Sequence, residues 1–92
     1  MVSGKTFNCS VVTPERAVLE CEAIFAALPA HDGEIGILFN RAPLLCRLGD
    51  GQLRIESATE KHVLHVAGGF AEMVANRLTI LTEEATFPDQ ES

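Results

Sequence analysis

The sequence predicts an all-β domain, either a sandwich or a barrel. Three observations carry that expectation. Apolar and polar residues alternate with period two in short segments. Turn-forming groups of Gly, Pro, Asn and Asp recur at short spacing between those segments. No segment couples a strand pattern to a helix pattern in the manner of a βαβ unit.

Taken from the N-terminus, Thr6 to Val12 places Phe7, Cys9 and Val11 on one face and Asn8 and Ser10 on the other, as in a half-buried strand. Thr13-Pro14-Glu15-Arg16 predicts a turn, because Pro fixes φ and cannot donate to a ladder. Ala17 to Glu20 and Glu22 to Leu28 read as two further strands. Ala, Leu and Glu would also suit a helix there, but Val18, Ile24 and Phe25 favour strands and Pro29 closes the run. Pro29 to Gly33 is a turn cluster containing Asp32-Gly33, and Ile35 to Leu38 is a short strand.

Asn40 to Pro43 turns again, before a strand over Leu44 to Leu48. Gly49-Asp50-Gly51 reads as a hairpin signal leading into Gln52 to Glu56, where Leu53 and Ile55 share a face. Ser57 to Glu60 is a turn. Lys61 to Ala67 is a strand, interrupted by Gly68-Gly69 and resumed over Phe70 to Val74. A turn near Ala75-Asn76-Arg77 precedes the last strand, Leu78 to Thr82. The domain so drawn spans residues 1–84. Residues 85–92 form an acidic tail with one Pro, expected to be loose.

The composition narrows the function classes. The chain has 92 residues, enough for one small domain, and a domain of that size gains stability from a partner. Net charge is −6 and Trp and Tyr are absent, so a nucleic-acid surface, which needs cationic and aromatic groups, is a poor fit. Cys9, Cys21 and Cys46 are odd in number with no C-x-x-C pair, which fits small apolar residues in a reducing compartment better than a disulfide or zinc framework. The N-terminal residues have one Lys and no long apolar core, unlike a signal peptide. No apolar run reaches membrane-spanning length, and the expectation is a soluble chain attached to a membrane only through other proteins.

Candidate chemistry is thin. His62 and His65 stand three apart on a strand and point to opposite faces, so they do not form a metal pair. His31, Asp32 and Glu34 lack the remaining oxygen ligands of a calcium loop. Ser10 and Ser57 have no supporting His–acid order, and neither Gly33-x-x-Gly36 nor Gly68-Gly69 leads into a phosphate-binding helix. No cofactor, metal or catalytic residue is expected.

One stretch is punctuated beyond what a core requires: Gly33-Glu34-Ile35-Gly36-Ile37-Leu38-Phe39-Asn40-Arg41-Ala42-Pro43-Leu44-Leu45. It resembles the G-E-[IL]-G-[IV]-L-P-x-H-A-P-L-L segment of the epsilon subunit of rotary F-type ATP synthase. The likeness continues in order through Thr13-Pro14-Glu15, Gly51 to Ile55, Val66 to Val74 and Asn76 to Leu81, covering roughly residues 5–84. The resemblance implies a flattened β-sandwich of about ten short strands without an active site. It also implies a central-stalk rotor role that couples ion-driven rotation to ATP synthesis. The implied partners are the gamma subunit and the polar loops of the c-ring, at the cytoplasmic face of the bacterial inner membrane.

Matched residue by residue, Glu34 and Thr13 correspond to c-ring contacts, and Arg41, Ala42 and Pro43 to the gamma-facing loop. Arg41 stands where the family usually has His, and Phe39 and Asn40 where it has Pro and Gly. Arg41 keeps a donor but adds permanent charge and a longer stem, for which a compensating acid on gamma is expected. Many relatives continue into a C-terminal helical hairpin that inhibits ATP hydrolysis. Only nine residues follow Glu83 here, against about 25 for two helices and a turn. The expectation is coupling without inhibition by that route if the protein ends at Ser92, whereas in a fragment of a longer protein the hairpin would simply lie beyond it. The competing reading is a free-standing β-sandwich module that binds a small ligand.

Overall fold

Alternation decides the first ladder. In the computed structural model, which describes residues 5–88, β1 (Phe7–Val12) buries Phe7, Cys9 and Val11 and leaves the residues between them half-buried. It pairs antiparallel with β2 (Ala17–Ala23) and parallel with β7 (Arg77–Leu81), where Leu78 and Ile80 lie inward beside Cys9 and Val11. β2 runs unbroken through Cys21, which lies opposite Cys9, so the interruption expected at that residue falls instead at Ile24. There the chain leaves β2: the Ile24 amide donates to the carbonyl of Glu56 (2.7 Å), and β3 (Phe25–Ala30) begins.

β3 and β4 (Gly33–Ile37) form a hairpin around His31-Asp32, with Gly33 at φ +134°. β4 lies at one end of the sheet order β2-β1-β7-β6-β5-β3-β4. The expected turn at Gly49-Asp50-Gly51 and the expected break at Gly68-Gly69 are both corrected. Each lies inside one long strand, β5 (Leu44–Glu56) and β6 (Lys61–Val74). The two glycine sites face each other, because Leu48 pairs with Gly69 and Asp50 with Ala67. A bend at one register position in two paired strands folds the whole sheet over without ending either strand.

Two layers result from this shared bend. The first contains β2, β1, β7, the second half of β6 and the first half of β5. The second contains the first half of β6, the second half of β5, β3 and β4. The inward phase changes parity across the bend in both strands. Leu48 gives way to Leu53 and Ile55, and Leu64 and Val66 give way to Ala71 and Met73. These residues join Phe7, Leu28, Ile37, Leu78 and Ile80 in one buried cluster. Each large side chain fully buried there contributes about 1.5–3 kcal/mol. The β-sandwich fold class is as the sequence predicts. The described residues form eight strand segments, near the expected count of about ten, with the segments predicted on either side of each glycine site joined into one strand.

Thr82 ties down the bend. Its amide donates to the carbonyl of Val12 (3.0 Å), and its buried hydroxyl lies 3.1 Å from the carbonyl of Glu84 and 3.3 Å from that of Ala67. This contact draws the following chain back to the sheet. Ala85–Thr86 forms β8 and pairs with Val66 and His65 of β6, so these two residues of the expected loose tail are ordered in a ladder. Phe87 of that tail packs partly buried against the core, and residues 89–92 lie outside the described residues.

Candidate functional site

The outer face of the first layer departs from the usual polar exterior. Leu45, Phe70, Val74 and Leu81 are all large, apolar and at least 44% exposed. They occupy the outward phase of adjacent strands: Phe70 lies opposite Leu81, and Leu45 opposite Glu72. Glu72 and Thr79 stand between them on the same face. Water contact with several large apolar side chains is still costly, and such a grouping marks an interaction surface. Two shallow depressions flank it. One, of about 420 Å³, is lined by Val12, Thr13, Pro14, Gly69, Phe70, Leu81, Thr82 and Glu83. The other is lined by Pro43, Leu44, Leu45, Glu72 and Val74.

The loop after β4 sits at one end of this face. Asn40 and Asn76 both adopt left-handed backbone, at φ 65° and 60°, which Asn tolerates better than most residues. The Asn40 amide donates to Asn76 Oδ1 (2.7 Å), and Asn76 Nδ2 donates to Asn40 Oδ1 (3.0 Å). This reciprocal bridge pins the loop to the β6–β7 turn. The Arg41 amide donates to the carbonyl of Leu38 (3.1 Å), closing the loop on itself. Ala42 and Pro43 are exposed, and Arg41 is half-buried. Among the described residues no carboxylate lies within ion-pair distance of Arg41. Its charge is felt at Cys46, where it opposes the larger upward push of burial on the thiol pKa.

Thr13 lies at the far end of β1 from that loop. The Thr13 amide donates to the carbonyl of Arg16 (2.9 Å), the Arg16 amide returns the bond (3.2 Å), and the Thr13 hydroxyl also donates to the Arg16 carbonyl (3.2 Å). The predicted turn is therefore present, and the hydroxyl proton serves it. Glu34 is exposed on β4, with Gly33 and Gly36 on either side of Glu34-Ile35, and Arg54 Nη2 donates to its Oε2 (3.1 Å). Glu34 lines a separate depression with His31, Asp32, Arg47, Leu45 and Cys46. Thr13 and Glu34 share none of the described depressions, whereas Arg41, Ala42 and Pro43 are consecutive on one pinned loop.

The four outward apolar residues were not among the sequence candidates. Their signal was nevertheless present: in Phe70–Val74 and Leu78–Thr82, a large apolar residue occupies the phase opposite the buried one. His62 and His65 take opposite faces, across from Ile55 and Gln52 respectively, and His62 Nε2 lies 3.3 Å from Glu60 Oε1. Among the described residues no group of His, Cys, Asp and Glu could hold a metal ion. Among the same described residues no helix is long and apolar enough to cross a membrane.

Comparison with known proteins adds an independent line. The model of the delta/epsilon-chain β-sandwich domain of ATP synthase matches residues 6–88. An ATP synthase epsilon chain of Rhodopirellula baltica is 44% identical over 80 residues, covering 87% of this chain and 62% of that relative. An epsilon chain of Maridesulfovibrio salexigens is 43% identical over 75 residues, covering 82% of this chain and 53% of the relative. The chain thus spans little more than half to three-fifths of these relatives. Among solved structures, a chain of the Euglena gracilis mitochondrial ATP synthase, from its OSCP/F1/c-ring assembly, superposes with a TM-score of 0.89. Its identity is 19%, covering all of this chain and 59% of that one. At such identity the likeness concerns the fold.

Proposed function

The chain belongs to the ATP synthase delta/epsilon-chain β-sandwich family, and from that premise we propose that it is a non-catalytic domain of the central stalk. In this reading it binds the gamma subunit, rests against the c-ring and transmits ion-driven rotation towards ATP synthesis. It acts at the cytoplasmic face of the bacterial inner membrane and is held there through the complex. The observation that carries the reading is the exposed apolar run of Leu45, Phe70, Val74 and Leu81 beside the pinned Arg41–Pro43 loop. Such a surface suits burial against a partner better than free solution.

Gamma covers this face and the loop. Arg41, half-buried and without a described carboxylate, meets an acid on gamma, forming a charge-assisted bond where the family's usual His gives a weaker donor. Glu34 and Thr13 meet the polar loops of the ring, with Glu34 offering its carboxylate from a glycine-flanked edge strand. Co-expression with gamma followed by size exclusion tests the proposal. Co-elution at micromolar concentration is expected. Separate elution would favour the free-standing ligand-binding module.

A further inference from the structure

Glu34 is held by a neighbour that sequence matching did not single out. Arg54 lies on β5, and β3 runs between it and Glu34 on β4. Along the outward row from Arg54, β3 presents Ala27 and β4 presents Gly36. These small residues place no bulk in the path of the guanidinium. Arg54 reaches diagonally to Glu34, two residue pairs along the hairpin on the same face, and Nη2 donates to Oε2 at 3.1 Å. The contact uses one carboxylate oxygen. Among the described residues Oε1 accepts no hydrogen bond, and β4 has no further strand on its outer side.

We propose that Arg54 is a positioning residue for the ring contact: it fixes the rotamer of Glu34 so that Oε1 points past the sheet edge to receive a cationic side chain of the partner. The inference rests on the ring-contact reading of Glu34. A carboxylate has room for two cationic donors on its two oxygens, so the internal bond orients the group without occupying the whole of it. An unrestrained glutamate would lose rotamer freedom on meeting the partner, and Arg54 makes part of that loss in advance. The pair is about half exposed on both sides, so it adds little to fold stability and its effect falls on the orientation of Glu34.

The test is a double-mutant cycle in the reconstituted ATP synthase containing this chain, reading ATP-driven proton pumping per ATP hydrolysed. Glu34→Gln, Arg54→Gln, Arg54→Lys and the double Gln variant are compared, with thermal unfolding of each isolated chain as the folding control. Arg54→Gln is expected to lower the pumping ratio severalfold with an unchanged unfolding transition. Arg54→Lys should recover part of the loss, and the double variant should be no worse than Glu34→Gln alone. If Glu34→Gln lowers pumping while Arg54→Gln does not, or if the two losses multiply, the positioning role is overturned and the ring contact stands. If Glu34→Gln leaves pumping unchanged, the ring-contact reading fails and the inference falls with it.

Discussion

Replacing Gly69 with Ala should destabilise the domain far more than the same change at Gly68. Gly69 has φ +112°, a region that side-chain-bearing residues rarely adopt, and holding Ala there costs about 1–3 kcal/mol. A methyl group at Gly69 would also run into the carbonyl oxygen of Leu81, and would lie 2.8 Å from Thr82 Cα and 2.9 Å from the Leu81 carbonyl carbon. Carbon atoms pack at about 3.5–4.0 Å, so β7 must move away from β6 by roughly an ångström. That movement breaks ladder bonds around Phe70–Leu81, at about 1 kcal/mol net each. The sum is about 3–5 kcal/mol, a large part of the 5–15 kcal/mol typical of a small domain. Gly68 has φ +67° and only Asp50 Oδ1 near its hypothetical methyl, at 4.0 Å, so Ala there costs about 1 kcal/mol. Thermal unfolding followed by circular dichroism separates them, at about 4–8 °C per kcal/mol for a chain of this size. Gly68→Ala should lower Tm by one such step and Gly69→Ala by three or more. A Gly69→Ala protein as stable as Gly68→Ala would refute the shared-bend account.

Asn76→Ala removes both side-chain bonds to Asn40 and leaves a left-handed Ala, and should cost about 1–2 kcal/mol in urea unfolding, with Asn76→Gly recovering the backbone part only. Burial pushes the Cys9 thiol up to about 12 from 9.0. A thiol pKa raised in the fold stabilises it fully below the unfolded value, and that contribution fades as pH climbs from about 9 to about 12. The urea midpoint should therefore fall between pH 8.5 and about 10.5, and Cys9→Val should flatten the decline. Alkylation at neutral pH read by mass spectrometry should spare Cys9 until the chain unfolds, because the thiolate is the reactive form. Glu34→Ala should change the unfolding free energy by less than about 1 kcal/mol, since the Arg54 pair is exposed, while loosening coupling in the assembled enzyme. Unfolding of the isolated domain by that change would make Glu34 a structural residue.

Inward faces were legible in the sequence wherever alternation was clean, as at Phe7-Cys9-Val11 and Leu53-Ile55. The bends were not. Gly49-Asp50-Gly51 carries the same local signal whether the chain reverses or merely folds over. Only the pairing of Leu48 with Gly69 and of Asp50 with Ala67 distinguishes the two, and that is a long-range fact. β8 was hidden for a similar reason. Two residues cannot show a period, and Ala85–Thr86 is held by its partners and by the Thr82 contact with Glu84. At the candidate site, the punctuation around Glu34 and Arg41 pointed to the edge strand β4 and the loop that follows it. The tie from Arg54 to Glu34 and the bridge from Asn40 to Asn76 span 20 and 36 residues, and local pattern carries no trace of either.

The central claim is that the outer face of the first layer docks on gamma, and one affinity measurement tests it directly. Phe70→Asp and Leu81→Asp place a charge on that face at sites about half exposed, so the isolated domain should still fold. If the face is the interface, the Kd for purified gamma should rise by about thirtyfold or more for each, as expected for a central apolar contact worth about 2 kcal/mol. Wild-type affinity from both variants, with their unfolding transitions intact, would contradict the claim.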